Sequence, residues 1–157
     1  MDYYVRAFCI ADEVPPVSDL LQWLQERDVR LAPGEGDGSL ESSDWQRQPL
    51  RYKESRQPFI LECRRDGGAD SPMRMEIDDF IRRVNEAGTG RANKRIVSHL
   101  RKTKFIVACQ LPVDDMDESG WDANGQILTY YAENCKAILQ ADREGFYERS
   151  VLILKIA

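Results

Sequence analysis

The densest set of side chains able to do chemistry lies between residues 91 and 102, in Arg91-Ala92-Asn93-Lys94-Arg95-Ile96-Val97-Ser98-His99-Leu100-Arg101-Lys102. At about 100° per residue, Ile96, Val97, Leu100 and Thr103 fall on one side of a helix. Arg91, Arg95, His99 and Lys102 fall on the other, flanked by Lys94 and Arg101. A helix this short is marginal alone, so its apolar stripe must dock on the body and its basic face must point to solvent. Such a face can hold an acidic protein, phosphate groups or nucleic acid, or it can simply be a solvated surface that keeps the chain soluble. No aromatics interleave with the cations to stack on bases, which favours an acidic protein over nucleic acid. The net charge of -5 points the same way, although a local basic patch answers to its own field.

A second constellation is acidic: Asp115-Met116-Asp117-Glu118-Ser119-Gly120-Trp121-Asp122-Ala123-Asn124-Gly125-Gln126. Asp115, Asp117 and Ser119 place oxygens at the first, third and fifth positions, and Gly120 stands sixth. These residues resemble the calcium loop of an EF-hand, and the resemblance implies calcium ligation by Asp115, Asp117 and Ser119. The pattern departs from that loop where its specificity lies. Gln126 replaces the bidentate Glu, Asp122 stands where an apolar residue belongs, and a strand ending at Pro112 precedes it instead of a helix. The alternative is an acidic connection into a helix over 123–134, with Asp122 as its cap.

Other chemistry finds less support. His99 is the only histidine, and its cationic neighbours disfavour its protonated form. Asp142 and Glu144 could be paired carboxylates, but turn residues of this kind usually serve the turn. Cys9, Cys63, Cys109 and Cys135 show no C-x-x-C spacing, and strand parity turns the first three inward as small buried hydrophobes. Gly34, Gly36 and Gly38 alternate with acidic residues and lack the lysine of a phosphate-cradling loop. No cofactor or catalytic residue is expected. Trp45, Tyr52 and Trp121 lie in or beside connections, where an aromatic either binds a partner or pins its own loop.

The elements that would position these residues follow from periodicity. Residues 3–10 and 104–111 read as strands, each followed by an acidic connection, a short amphipathic helix and further strand. The helices are expected over about 18–27, capped by Ser18, and over 123–134. A β-α-β-β unit is thus used twice, over about 3–64 and 104–156. Between the copies lies a helical insert over about 70–103. Its clearest part has Ser71 as cap, Pro72 at the first helical position and Gly88 at the end. Strands at 29–32, 48–54, 58–64, 137–142 and 146–156 complete the set, with a flexible loop over about 33–47 after Pro33 ends its strand. Val151-Leu152-Ile153-Leu154 is apolar at both parities, as in a strand covered on both faces or placed mid-sheet.

The expected fold is α+β: a mostly antiparallel sheet of six or seven strands with helices on one face, in one domain over 1–157. Each unit resembles half of a ferredoxin-like fold in element order, and that plan implies no particular activity. Gln140-x-Asp142-x-x-Gly145-Phe146-Tyr147 is loosely similar to the ends of small bacterial proteins, and this too implies no activity. With 42% hydrophobic and 31% charged residues, no apolar run long enough to span a bilayer and no signal-like start, a cytoplasmic protein is expected. The expected function is a non-enzymatic protein-interaction or regulatory module. Its partner-binding candidates are Arg91, Lys94, Arg95, Arg101, Lys102, Trp45 and Tyr52. Edge pairing gives it a route to a homodimer. The alternatives are a small anion or nucleic acid on residues 91–102, and calcium at 115–126.

Overall fold

The computed structural model of the protein describes residues 2–156. Along the chain run β1 (Tyr4–Cys9), α1 (Val17–Gln25), β2 (Ala32–Pro33), β3 (Arg47–Arg51), β4 (Phe59–Arg65), α2 (Pro72–Ala87) and α3 (Arg91–Arg101). Then come β5 (Phe105–Gln110), a 3₁₀ turn (Val113–Asp115), α4 (Glu118–Asn134), β6 (Ile138–Ala141), β7 (Gly145–Glu148) and β8 (Val151–Lys155). All strands join one antiparallel sheet in the order β2-β3-β4-β5-β1-β6-β7-β8. The fold is α+β, and no helix among the described residues is long and apolar enough to cross a membrane.

The leading strands of the two expected units, β1 and β5, sit side by side at the centre, in register from Tyr4↔Gln110 to Cys9↔Phe105. Beyond that pair the two halves differ. The β6-β7-β8 meander places its first strand against β1, whereas β2-β3-β4 places its last against β5. The duplicated order of elements therefore does not carry into a duplicated sheet.

Three expectations need correction. The sheet has eight strands, not six or seven. The extra one arises because 146–156 folds back on itself: Glu148 pairs with Val151, and Arg149 takes a left-handed φ of 55°. An arginine there is not the Asn-Gly signal of such a turn. Helices also cover both faces, not one. Val5, Ala7 and Cys9 face α1 and α4, while Phe8 faces α2 and α3. With both faces covered, Phe105, Ile106, Val107, Ala108 and Cys109 of β5 are all buried. Finally, α4 begins at Glu118 with Asp117 as its cap, accepting the Gly120 amide at 3.1 Å, so Asp122 lies inside the helix.

Smaller shifts have local causes. Ser18 does not cap α1; Pro16 precedes the helix and the Ser18 amide donates to the Leu40 carbonyl at 2.8 Å. Pro33 pairs within β2 instead of ending the strand before it, a place open to proline because β2 is an edge. Ser71 caps α2 as expected, accepting the Arg74 amide. The 33–47 connection is tied back: Gln48 donates to the carbonyls of Gly34 and Pro49, and Asp37 accepts the amides of Gln46 and Arg47.

A charged cluster joins the sheet to α2. Arg6, on the Phe8 face of β1, donates to Glu76 at 2.8 Å, to Gln140 at 2.7 Å and to Asp142 at 2.8 Å. Arg64 of β4 reaches the same Glu76 at 2.6 Å, and the rings of Tyr4 and Phe80 lie 5.2 Å from the Arg6 guanidinium. Burial alone would raise the Asp142 carboxyl. Bonds from Arg6 and the Tyr4 amide outweigh it and hold that group below its usual range. Glu76→Ala therefore strips Arg64 of its carboxylate and Arg6 of one of two. We expect a loss of about 3 kcal/mol, the low end for breaking a buried pair because Arg64 is partly exposed. Urea unfolding measures it, and a loss under about 1 kcal/mol would mark the cluster as solvent-screened.

Candidate functional site

The outer face of α3 carries its cations into solvent. Ile96, Val97 and Leu100 are buried against the sheet together with Thr103, while Arg91, Lys94, Arg95, Arg101 and Lys102 are exposed. The helix is held in this rotation at its start, where the buried Asn93 amide donates to the Val84 carbonyl at the end of α2, at 3.0 Å. Arg95 pairs with Glu148 of β7. Among the described residues no acidic side chain pairs with Arg91, Lys94, Arg101 or Lys102. Arg101 and Lys102 stand at the helix C-terminus, where positive charge is favoured. Lys94, Ser98, Arg101 and Lys102 line an open depression of about 430 Å³ with Asn85 of α2.

His99 departs from the expected basic face. It turns toward the sheet, with Nε2 2.8 Å from the Phe8 carbonyl oxygen and 3.3 Å from the Ile138 amide. One tautomer donates to Phe8 and the other accepts from Ile138. Burial first, then the nearby Lys102 and Arg95, lower its pKa.

Beside α3 lies the open edge of the sheet. β8 is the last strand, so one row of its backbone groups has no neighbour in the sheet. The structure corrects the expectation that 151–154 is covered on both faces: Val151 is 62% and Leu152 43% exposed. Ile153 and Leu154 lie partly buried against the α2–α3 core. The apolar run was the signal, but it could not distinguish a mid-sheet strand from an edge. The Arg95–Glu148 pair ties this hairpin to α3, so the exposed apolar strand and the basic helix adjoin.

The aromatic candidates serve their own loops. Trp45 is 2% exposed and donates its indole N–H to the Pro15 carbonyl at 3.0 Å, which removes it from any contact surface. Tyr52 stacks on Phe59 at 5.4 Å, and its hydroxyl accepts the Asp117 amide at 3.1 Å. Its ring lies so close to α4 that a Cβ on Gly120 would meet it at 2.7 Å. The acidic stretch is likewise committed. Asp115 accepts the Gln57 amide at 2.8 Å and pairs with Arg56, while Asp117 pairs with Lys53 at 2.5 Å. The Lys53 bond is the main reason the Asp117 carboxyl is lowered to about 2. Ser119 is exposed in the first turn of α4. Calcium there would have to displace both cations. Among the described residues no group of three or more His, Cys, Asp or Glu is placed to hold a metal. The four cysteines are free and buried; burial pushes the Cys63 thiol up to about 11.

Compared with protein-family models, with curated proteins and with solved structures, the chain matches none.

His99 supplies a pH dependence whose sign is fixed. Its folded pKa lies below the ordinary value of about 6.5, so folding favours the neutral ring. That stabilisation is complete above about pH 6.5 and is lost as the pH falls through the unfolded value toward the folded one. Melting temperature measured between neutral and mildly acidic pH should fall for the parent. It should fall less steeply for His99→Gln, which has no ring to protonate; identical slopes would show that His99 contributes nothing.

Proposed function

We propose that this chain is a non-enzymatic, cytoplasmic protein-interaction module that receives an acidic, extended segment of another protein along β8, beside the basic face of α3. The observation that carries this reading is the pairing of an unoccupied apolar edge with the cations Arg91, Lys94, Arg101 and Lys102, none of which has an acidic partner among the described residues. An added strand satisfies the backbone groups of the edge, and its alternate side chains cover Val151 and Leu152. Acidic residues on that strand answer the cations, which steers encounter and sets specificity more than it adds affinity. A homodimer through the same edge is disfavoured by charge. Twofold pairing of β8 with β8 would bring a second cationic α3 toward the first, with Glu148 already committed to Arg95.

The second reading, a small anion or nucleic acid on α3, draws on the depression lined by Lys94, Ser98, Arg101 and Lys102. The two readings part on the edge strand. Fluorescence anisotropy with labelled peptides of alternating Glu and Val, and with neutral and basic counterparts, should detect binding of the acidic series alone. Affinity should drop at high salt. It should be lost both in the Arg91→Glu, Lys94→Glu, Arg101→Glu, Lys102→Glu variant and in Leu152→Pro, which denies the edge to a partner. Binding that survives Leu152→Pro, with duplex DNA or inorganic phosphate competing, would replace this reading with the anion reading. No binding of any acidic peptide would remove it.

A further inference from the structure

On the opposite face of the sheet, α4 stands off from β1, β6 and β7 and leaves an open cleft of about 640 Å³. Its walls hold Tyr3, Trp121, Asn124, Gly125, Glu144 and Tyr147. None of these takes part in the surface described above.

Asn124 is 6% exposed, yet its Oδ1 has no hydrogen-bond partner, and it is the only buried side-chain oxygen or nitrogen among the described residues in that position. An unmade buried acceptor costs about 1–3 kcal/mol, and this one lies enclosed just behind the cleft wall, where a donor from the cleft reaches it once the Asn124 side chain turns outward. A carboxylate is fixed in the same cleft. Glu144 accepts the hydroxyls of Tyr3 and, at 2.5 Å, of Tyr147. Burial first and then Glu144 raise the Tyr3 pKa; Glu144 itself is the main cause for Tyr147. Two phenols thus hold one charge in place on the cleft wall, and the carboxylate has lone pairs to spare. Trp121 is 43% exposed and meets Tyr3 edge-on at 6.4 Å, so π faces border the acceptors. Within α4, Gly125 costs helix stability of about 1 kcal/mol relative to alanine, and a Cβ there would meet nothing within 4 Å. The space is left open by the absence of a side chain.

We propose that this cleft binds a small organic cation bearing N–H donors, a primary ammonium or a guanidinium. Its charge would lie against Glu144 and the faces of Trp121 and Tyr3, and one N–H would reach Asn124 Oδ1. Asp122 and Glu144 are balanced by Arg149 in the lining and by Arg143, whose guanidinium lies 5.9 Å from the Tyr3 ring, so the sign rests on the local groups and not on net charge. That ring accepts a cation, and Glu144 is the carboxylate nearest to it through the Tyr3 hydroxyl.

The test is calorimetric titration of the whole chain with agmatine, which carries both cationic groups and no carboxylate, and with succinate as the anionic control. Tryptophan emission is followed in parallel, with Trp121→Phe assigning the signal. We expect saturable binding of agmatine, none of succinate, and at least about tenfold weaker binding in Glu144→Gln. Gly125→Leu should fill the cleft and abolish binding while the helix keeps or gains stability. Asn124→Leu separates a ligand-binding role from a structural one. If Oδ1 awaits a ligand, the variant melts no lower than the parent and binds agmatine weakly. A lower melting temperature with unchanged agmatine affinity would make Asn124 structural and overturn the assignment. So would the absence of saturable agmatine binding, preference for succinate, or affinity indifferent to Gly125→Leu.

Discussion

The antiparallel pairing of β1 with β5, buried on both faces, is the constraint on which the rest of the structure depends. A strand whose two parities are both covered needs a helical layer on each side, and the chain supplies α1 and α4 for one, α2 and α3 for the other. The insert between the two expected units is therefore not an appendage. It is the second layer, closed over Phe8, Ile106 and Ile138. The same requirement explains Arg6. A charge on the Phe8 face of β1 lies beneath α2, and it is tolerated because Glu76, Gln140 and Asp142 converge on it.

Much of this was legible in the sequence where local rules act alone. Ser71, Pro72 and the stripe Met73, Ile77, Phe80, Ile81 and Val84 define α2 by capping and period, and the structure buries all of these apolar residues except Ile81, which is half-buried. The thiols of Cys9, Cys63 and Cys109 follow strand parity into the core. Misreadings occurred where a local rule met a tertiary fact. Arg6 lies opposite Val5, Ala7 and Cys9 by parity, but parity reports which residues share a side and not what covers it. The early start of α4 was hidden by the acidic run, in which Asp122 and Asp117 are equally good caps. Gly120, inside the first turn, is required by the Tyr52 ring.

The basic face was legible for the same reason as α2: the apolar stripe fixes the helix rotation and the cations follow. His99 was the exception, for a geometric reason. It stands about 60° from Ile96 around the helix, at the seam between buried and exposed sides, where periodicity cannot decide. The backbone of β1 and β6 decides it, since Phe8 and Ile138 offer a carbonyl and an amide within reach of the ring. The cleft was not legible at all. Tyr3, Asn124 and the Glu144–Tyr147 pair come from three separate stretches of chain and acquire a shared chemistry only through the sheet order.

The contrast between buried polar groups sharpens what the cleft means. Gln48 donates to Gly34 and Pro49 and Asn93 to Val84, which tie elements together, and Thr103 donates to the His99 carbonyl at the end of α3. A chain that satisfies these groups through its own backbone has the means to satisfy Asn124 too, or to replace it by leucine at no cost in hydrogen bonding. It does neither, and Asn124 lines the same cleft as a carboxylate held by two tyrosines and a helix position left without a side chain. The occupant proposed above answers the unmade hydrogen bond and the open space together.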